Sequence, residues 1–347
     1  MRKSFALALC LIGFQNGVYS QKATYKVAIA AFYNLENLFD TIDDPKINDA
    51  EFLPTGTKNY NGEVYLDKLS HLSDVITLIG TDRSHDGAAI LGVAEVENEQ
   101  VLIDLTNTEK LKSRNYKVVH YDSPDFRGID VGLLYNPKYF IPSYSEPLFV
   151  PLFESDTVPR FTRDVLYVAG MMDGELMHIF VNHWPSRRGG EEASAPGRAK
   201  AASVCKHKID SIIAIDPNSK ILLMGDLNDD PVSPSVAKVI GAKGEKDQVK
   251  KGGMYNPWMA SYKQGVGTLA YQDSWNLFDQ ILLSSGLLSK DQDGYFFGEA
   301  HIFSKPWMTQ TSGRYKGYPK RTYDFDNYMA GYSDHFPTFL VLYSKVK

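Results

Sequence analysis

The sequence has little cysteine, which excludes a disulfide framework. Among its 347 residues, Cys10 and Cys205 are the two cysteines, and Cys10 falls in an N-terminal segment that we expect to be removed. A single remaining thiol forms no intramolecular disulfide, and a chain of this length has a core large enough to fold without one. Cys205 lies in a helical pattern, which is typical of a small core residue rather than a nucleophile.

Long apolar runs are also missing, except for a short one at the N-terminus. Arg2 and Lys3 precede an apolar stretch of about ten residues, from Phe5 to Phe14, and small residues follow at the positions that signal peptidase prefers. This pattern predicts a cleaved signal peptide over residues 1–20, and therefore a secreted or periplasmic protein. The alternative is an N-terminal anchor that is retained.

Two further observations bear on membrane attachment. Leu9 stands before Cys10, where a lipoprotein signal requires a small residue, and this disfavours lipid attachment. No later stretch reaches about 18 uncharged apolar residues, so the sequence predicts no stable membrane insertion of the mature chain.

The chain lacks an excess of basic charge. Its formal net charge is −5 at pH 7, which argues against a broadly basic surface that coats nucleic acid. An anionic substrate must therefore be attracted by a local basic patch or a bound metal ion. Internal repeats and low-complexity linkers are missing as well, so we expect one domain over residues 21–347, and a monomer.

Several short apolar runs end abruptly in polar residues. Near-continuous apolar runs of this length are typical of strands covered on both faces, and polar groups at the ends of such strands are where α/β proteins place their sites. The four runs are Tyr25 to Tyr33 before Asn34, Ala88 to Ala94 before Glu95, Met177 to Val181 before Asn182-His183, and Ile221 to Met224 before Gly225-Asp226.

Helical patterns separate these runs. Apolar residues recur at helical spacing over Tyr65–Ile79 and over Arg198–Ile215, and Pro196-Gly197 is expected to lead into the second helix. Gly128 to Tyr135 alternates instead, as a half-buried strand does. Strands alternating with helices, together with hairpins, predict a layered α/β sandwich.

The residues at the strand ends carry chemistry. Glu95 and Asp226 are carboxylates in positions where a charge is costly unless it is paired, hydrogen-bonded or bound to a metal. Oxygen ligands favour Mg²⁺, with Mn²⁺ or Ca²⁺ as alternatives, over zinc. Amide and imidazole groups, which can act as ligand, acid, base or phosphate donor, accompany the carboxylates: Asn34, Asn228, His183 and His335.

The order of these motifs resembles the endonuclease/exonuclease/phosphatase superfamily. That superfamily includes DNase I-like nucleases, abasic-site endonucleases, sphingomyelinases and inositol-polyphosphate phosphatases. The resemblance spans nearly the whole mature chain and implies a four-layered α/β sandwich, in which two packed mixed β-sheets are flanked by helices. It rests on Asn34 in FYNLEN, Glu95 in VAEVEN, His183 in VNHWPS, Asp226 and Asn228 in GDLND, Asp279 in FDQILLS, and Asp334-His335 in YSDHFP.

The resemblance implies a role for each matching residue. Glu95 is expected to be the main Mg²⁺ ligand, with Asn34 close by and Asp334 helping to hold the metal or its water. A metal-dependent phosphoric-ester hydrolase follows from this set.

The catalytic roles follow in the same way. Asp226 is expected to orient and deprotonate the attacking water, and Asn228 to hold the phosphate and the nucleophile. His335, oriented by Asp279, is expected to donate to a phosphate oxygen as negative charge builds. His183 stands where some relatives have tyrosine, and this difference leans away from the abasic-site branch.

Structural alternatives stay open for some of these residues. Asn34 can simply end a strand, and Asp279 can be a satisfied structural carboxylate. Glu36 and Glu97 each lie close to a better candidate and are expected to support the site or lie on the surface. Asp130, at a strand start near the site, is a candidate for direct substrate contact.

Two segments are candidates for substrate binding. Arg187 and Arg188 follow His183 and can clamp a phosphate. The segment Lys305–Tyr323 interleaves basic and aromatic residues, including Arg321 and Tyr323, a pattern that suits stacked bases and a phosphate backbone. The alternative is a solvated loop whose aromatic side chains pack on the sheet.

The predicted function is therefore a secreted, Mg²⁺-dependent phosphoesterase, with an extracellular nuclease acting on DNA or RNA as the favoured case. The alternative is a phosphatase or phosphodiesterase that acts on a small molecule or a phospholipid headgroup, such as an inositol phosphate or sphingomyelin. The complete set of catalytic residue types disfavours a third class, a binding protein that has lost the chemistry.

Overall fold

A computed structural model of the protein describes residues 24–155, 157–290 and 294–346. The predicted signal peptide, residues 1–20, lies outside the described residues. In the part of the chain that is described, no helix is long and apolar enough to cross a membrane.

The described residues form strands and α-helices that alternate along the chain. In order, they are β1 (Tyr25–Leu38), α1 (Gly62–Leu78), β2 (Ala88–Val96), α2 (Glu99–Thr106), β3 (Lys117–His120), β4 (Asp130–Tyr135), β5 (Phe140–Leu148), β6 (Leu152–Ser155), β7 (Val158–Arg160), β8 (Val165–Met172), β9 (Glu175–His183), α3 (Glu191–Ile215), β10 (Lys220–Asp226), β11 (Met254–Tyr255), α4 (Met259–Lys263), β12 (Leu269–Tyr271), β13 (Ser274–Asn276), β14 (Asp279–Ser284), β15 (Tyr295–Ile302), β16 (Tyr323–Asp324), β17 (Asn327–Tyr328) and β18 (Thr338–Lys345).

Two six-stranded mixed sheets dominate the architecture. The first has the order β15-β18-β1-β2-β4-β3, and the second has the order β11-β14-β10-β9-β8-β5. Each sheet contains one parallel pair, β1 with β2 and β9 with β10, and its other neighbours are antiparallel. The two parallel pairs therefore present four strand ends that can meet at one edge.

The two sheets pack face to face across an apolar core. Ala30 and Phe32 of β1 meet Val181 of β9 and Met224 of β10, and none of the four side chains is exposed. The sheets are in close contact at Gly92 of β2, where an added Cβ would lie 2.6 Å from Sδ of Met224. Glycine at this position therefore permits the sheet-to-sheet spacing.

Helices cover the outer faces of both sheets. Helix α1 buries Leu72 and Val75 against the first sheet, and α3 buries Cys205 and Ile209 against the second. The layers therefore run helix, sheet, sheet, helix, which confirms the predicted four-layered α/β sandwich. Cys205 is a buried core residue, as the helical pattern indicated.

The predicted strands and helices are present, but several boundaries differ: β1 continues through Asn34 to Leu38, β4 begins at Asp130, and one helix starts earlier than expected. Helix α3 begins at Glu191, so Pro196 lies inside the helix instead of leading into it. Proline removes a backbone donor from the ladder. The guanidinium of Arg198 donates to the carbonyl of Glu191, and this side-chain contact supports the first turns of the helix.

Candidate active site

The candidate site lies at the edge where both parallel pairs end. Glu95 is near the end of β2, and His183 and Asp226 are the last residues of β9 and β10, paired in register with each other. Asp279 begins β14 directly opposite Asp226. His335 precedes β18, whose first residue pairs with β1. The topology therefore brings together residues that are far apart in sequence.

Asn34 holds the two central carboxylates. Its Nδ2 donates to Oε1 of Glu95 at 3.3 Å and to Oδ2 of Asp226 at 3.1 Å. Its Oδ1 accepts the backbone N–H of Glu36 at 2.9 Å, which fixes the orientation of the amide. Asn34 was expected among the metal residues, as a carbonyl ligand or an amide donor; it presents its amide nitrogen to the site, while its oxygen faces the N–H of Glu36.

Left-handed backbone is concentrated around these groups. Four non-glycine residues of the site have positive φ values: Glu36 (49°), Asn37 (54°), Glu95 (60°) and Asn228 (48°). Non-glycine residues rarely adopt this region, and each instance costs on the order of 1–3 kcal/mol unless the surroundings impose it. The backbone N–H of Asn37 donates to Oε2 of Glu95 at 3.0 Å, so the strained segment directly supports the carboxylate.

Asp226 is 2% exposed, and both of its oxygens are engaged. Oδ1 accepts the backbone N–H of Asn228 at 3.0 Å, and Oδ2 faces Asn34. Burial raises the pKa of Asp226 to about 7, opposed by His335 and reinforced by Asp279. A carboxylate of this pKa is suited to exchange a proton near neutral pH.

His335 and Asp279 form a buried pair. Nδ1 of His335 lies 2.7 Å from Oδ2 of Asp279, while its Nε2 lies 3.9 Å from carboxylate oxygens of both Asp226 and Asp334. Burial on its own lowers the pKa of His335, but the Asp279 carboxylate and the neighbouring acids raise it well above its ordinary value. The imidazole is therefore held as a cation whose Nε2–H points toward the site.

His183 has the opposite character. Burial, with the charges of Arg163 and Arg127 adding to it, holds the pKa of His183 well below its ordinary value. Its Nε2 lies 3.8 Å from Oε1 of Glu95 and 3.7 Å from Oδ2 of Asp226, and its Nδ1 is buried without a hydrogen-bond partner among the described residues. The site thus contains one neutral and one cationic imidazole.

The donor set fits a divalent cation. Ligand atoms of Glu95, His183 and Asp226 all lie within 4.8 Å of one another. The ion pairs that these two carboxylates make with described residues involve histidines alone, so no lysine or arginine of the described chain neutralises them directly. Two neighbouring acids with no lysine or arginine partner fit a site that is stabilised by a bound metal ion.

Asp334 stands apart from this ligand group. Its Oδ2 accepts from Nη2 of Arg321 at 3.2 Å, and Arg321 Nε reaches Oε1 of Glu36 at 3.4 Å. The expected metal set of Asn34, Glu95 and Asp334 therefore differs from the set that the geometry brings together. Asp334 therefore lies between the guanidinium of Arg321, which donates to it, and the imidazole of His335.

The sequence is matched by the model of a known family. The sequence model of the endonuclease/exonuclease/phosphatase family matches residues 29–344, which includes all of the groups described above. The chain belongs to the endonuclease/exonuclease/phosphatase family. With this membership it is a metal-dependent phosphoric-ester hydrolase. A comparison with curated protein sequences finds no match.

Solved structures of family members share the fold. An endonuclease/exonuclease/phosphatase family protein from Bacteroides thetaiotaomicron is 16% identical with a TM-score of 0.55, and the match covers 93% of this chain and 100% of that one. A mannosyl-6-phosphatase of the same species is 16% identical with a TM-score of 0.52, covering 91% and 99%. D. rerio TDP2 in complex with a single-strand DNA product is 14% identical with a TM-score of 0.52, covering 91% and 98%. At these identities the likeness concerns the fold.

Within this family fold, the two arginines after His183 have different environments. Arg187 donates to the carbonyl of Asn228 at 3.0 Å and to Asp230 at 3.0 Å, and it stacks over a phenylalanine ring. Its guanidinium therefore supports the backbone at Asn228 and is not free to clamp a phosphate, as had been predicted for Arg187. Arg188 is exposed and makes no ion pair with a described residue. Nδ2 of Asn228 donates to the carbonyl of Trp184 at 2.9 Å.

Asp130 is buried in its own small cluster. Its carboxylate lies 3.2 Å from Nε2 of His120 and accepts from the backbone N–H of Ser123 at 2.9 Å. These contacts occupy both carboxylate oxygens, so the structure does not present Asp130 as a free group for substrate.

The segment 305–323 has a mixed character. Trp307 packs on a neighbouring tyrosine with 4.8 Å between ring centroids, Tyr318 donates to Asp273 at 2.7 Å, and Tyr323 is buried with its hydroxyl on a backbone carbonyl. Tyr315 is 46% exposed. Most of the aromatic rings therefore pack on the protein, as the alternative interpretation held, and Tyr323 is not available for stacking.

Sequence reasoning missed several supporting residues. Arg163 is buried and donates to the carbonyls of His183 and Trp184 and to Asp125. Oγ of Ser333 donates to the carbonyl of Asn34 and accepts the N–H of His335. Ser333 lies inside the YSDHFP motif and offered a signal. Arg163 stands outside every motif, and nothing in its sequence context indicated its role.

Proposed function

We propose that this chain is an exported, Mg²⁺-dependent phosphodiesterase that cleaves nucleic acid. The observation that carries the hydrolytic part is the arrangement of Asp226 between a neutral and a cationic imidazole, beside Glu95. Such a set provides a proton acceptor and a proton donor on either side of one phosphate position.

Glu95, with His183 and Asp226 close by, is proposed to hold the metal. Carboxylate oxygens favour Mg²⁺, with Mn²⁺ and Ca²⁺ as alternatives. A bound cation of this kind neutralises the negative charge of the phosphate oxygens. Asn34 orients the two carboxylates by donating to both.

Asp226 is the proposed general base. Its carboxylate is buried and fixed by hydrogen bonds from Asn34 and from the backbone N–H of Asn228, an arrangement that suits a group accepting a proton from water. His335 is the proposed donor to the phosphate, because Asp279 keeps its imidazole protonated and oriented. Each role contributes on the order of 10²–10⁴-fold to the rate.

Exposed cations support nucleic acid as the substrate. Arg188 follows β9, which ends at His183, and Arg314 and Lys316 lie in the loop between β15 and β16, ahead of Asp334 in the chain. None of the three forms an ion pair with a described residue, and exposed Tyr315 adds a ring beneath Arg314. Unpaired cations interleaved with an exposed aromatic ring suit a phosphate backbone and its bases.

A small phosphate ester is the second candidate. The observation that favours it is a cleft of about 310 Å³ beside the site, lined by both acidic and basic side chains. This cleft is large enough for a single ring rather than a polymer. The net charge of −5 also favours a substrate with little charge beyond its phosphate.

A substrate panel tests the proposal. The purified protein with Mg²⁺ is assayed on plasmid DNA, single-stranded RNA, sphingomyelin, an inositol phosphate and mannose 6-phosphate. We expect nucleic acid to be degraded, Asp226→Asn to reduce the rate by about 10²-fold or more, and Asp247→Asn, a change at an exposed position, to leave it unchanged. Intact DNA and RNA together with turnover of sphingomyelin or a phosphomonoester would reject the nuclease assignment.

Export is part of the same proposal. The N-terminal pattern of residues 1–20 supports a cleaved signal peptide and delivery to the periplasm or the exterior. Mass spectrometry of the mature N-terminus in fractionated cells checks this directly, and an intact Met1 in the cytoplasmic fraction would contradict it.

A further inference from the structure

A lateral cleft opens beside the catalytic groups. It has a volume of about 310 Å³ and is lined by Asn37, Phe52, Lys58, Arg321, Asp324 and Phe325 among others. Two of its residues touch the site directly: Asn37 donates its backbone N–H to Glu95, and Arg321 donates to Asp334. The lateral cleft is therefore adjacent to the site, next to the position of a group esterified to a bound phosphate.

The cleft contains polar groups without partners. Nη1 of Arg321, the side-chain amide of Asn37 and the carboxylate of Asp324 make no hydrogen bond with the described residues. Together they offer donors and acceptors within one small volume. Such a mixture matches hydroxyl groups, which donate and accept in turn.

Phe325 forms the lip of the cleft, although both its exposure to solvent and its backbone conformation are unfavourable for a phenylalanine. Its side chain is 86% exposed, and its φ of 52° lies in the left-handed region at the tip of the β16–β17 hairpin. Lys58 holds this conformation by donating Nζ to the carbonyl of Phe325 at 3.0 Å. An exposed aromatic ring in a backbone conformation that its surroundings impose is typical of a recognition element.

The charges of the lateral cleft are already balanced. Lys58 pairs with Glu51 at 3.3 Å and Asp326 at 3.4 Å, and Arg321 pairs with Glu36 and Asp334. Asp324 adds a negative charge that no described residue bonds. A second phosphate is therefore disfavoured there, and a neutral group is preferred.

We propose that the lateral cleft binds a hydroxylated sugar ring that carries the scissile phosphate. The ring's C–H face stacks on Phe325, and its hydroxyls bond Asp324, Asn37 and Arg321. This inference rests on the proposed phosphoester hydrolysis and names the group next to the phosphate. The same chemistry is found in the ribose of an RNA strand and in a free sugar phosphate.

The first experiment compares sugar esters with sugar-free esters. We measure two ratios of kcat/KM for wild type, Phe325→Ala and Asp324→Asn. The first compares mannose 6-phosphate with ethyl phosphate, and the second compares the dinucleotide UpU with diethyl phosphate. We expect at least one ratio to fall about tenfold in both variants, because Phe325→Ala removes the surface on which the ring stacks and Asp324→Asn removes a charged hydrogen-bond acceptor for its hydroxyls. Phe153→Ala, which removes another exposed ring on a hairpin, is the matched control and leaves both ratios unchanged.

The two substrate pairs distinguish a free sugar phosphate from the ribose of RNA as the ligand of the cleft. A selective loss on mannose 6-phosphate assigns the cleft to free sugar phosphates, and a selective loss on UpU assigns it to ribose in RNA. Equal losses on sugar and sugar-free esters, or unchanged ratios, would overturn the proposal.

A second readout does not depend on turnover. Saturation-transfer NMR with methyl α-mannoside and methyl β-ribofuranoside measures binding of the neutral ring to the full protein. Signals that disappear in Phe325→Ala and persist in Phe153→Ala support the sugar site in the cleft, even if no ester is hydrolysed. Absence of hydrolysis would reject the phosphodiesterase proposal but not the sugar site. No ring signal for wild type, together with no selective kinetic loss, refutes the sugar site.

Discussion

Nδ1 of His335 lies 2.7 Å from Oδ2 of Asp279, and both side chains are buried at the edge that the two sheets share. Although burial opposes it, the Asp279 carboxylate raises the pKa of His335 well above its ordinary value, with Asp226 and Asp334 adding to the effect. This pair therefore determines the pH range over which the site keeps a proton on His335.

Asp279→Asn should lower both the rate and the pKa of His335. Loss of the strongest raising group shifts the alkaline limb of the kcat profile to lower pH, and a poorly oriented donor reduces the rate by about 10²-fold or more. A histidine with a raised pKa stabilises the fold fully below its unfolded-state pKa, and that stability is lost as the pH rises through the folded-state pKa. Urea unfolding should therefore detect a larger loss of stability for the variant at pH 6 than at high pH.

Asp247→Asn is the control for this experiment, since it alters an exposed carboxylate of the same type. An alkaline limb that stays in place in Asp279→Asn would contradict the proposed control of the His335 proton, whatever the change in rate.

Metal removal tests the role assigned to Glu95. Chelation should abolish hydrolysis, and added Mg²⁺ should restore it. Because a ligand that binds the folded state alone stabilises it by mass action, Mg²⁺ at about 100 times its Kd should add roughly 2.7 kcal/mol to the free energy of unfolding. Differential scanning calorimetry should register this as a rise in Tm for wild type and a much smaller rise for Glu95→Gln.

Glu192→Gln, at an exposed position, should keep the full Mg²⁺ response. An equal rise in Tm for Glu95→Gln and wild type would exclude Glu95 as a principal ligand.

Gly225 of the GDLND motif is required by close packing. A Cβ at this position would lie 2.4 Å from the backbone oxygen of Asn182, which cannot move without disturbing β9. Gly225→Ala should therefore cost about 1–3 kcal/mol of stability and displace Asp226, with a fall in kcat. Gly62→Ala, where an added Cβ meets open space in the first turn of α1, should leave stability unchanged or slightly improved in urea unfolding.

The strand-end residues were predictable because each apolar run and the polar motif after it are adjacent in the sequence. Apolar runs followed by Asn34, Glu95, His183 and Asp226 predicted covered strands with a site at their ends, and the structure brings these residues together. The same local signals predicted the layers of the sandwich.

Long-range contacts were not predictable in this way. Glu36 binds the backbone N–H of Thr322, 286 residues away in sequence, and no periodicity relates the two. Arg187 has the composition of a phosphate clamp, yet it is held by Asp230 and the carbonyl of Asn228. In both cases the role depends on which partners the fold supplies, and sequence spacing carries no information about them.

Lys68 illustrates such a long-range support and gives the last prediction. Its side chain is 1% exposed, and Nζ donates to the carbonyl of Glu36 and, at 2.9 Å, to Oγ1 of Thr322. Burial lowers the pKa of Lys68 to about 8, while burial raises that of Glu36 to about 7, so the two groups depend on one another. Lys68→Met should leave two buried acceptors unsatisfied, at a cost of about 1–3 kcal/mol.

The functional effect of Lys68→Met should appear mainly in KM. Thr322 and Glu36 fix Arg321 at the mouth of the lateral cleft, and a loosened segment presents its cation less often to substrate. Lys206→Met, which removes an exposed pair with Asp210, should change stability by less than about 1 kcal/mol and leave KM unchanged. Equal denaturation midpoints for Lys68→Met and Lys206→Met would mean that Lys68 does not support the segment before Asp334.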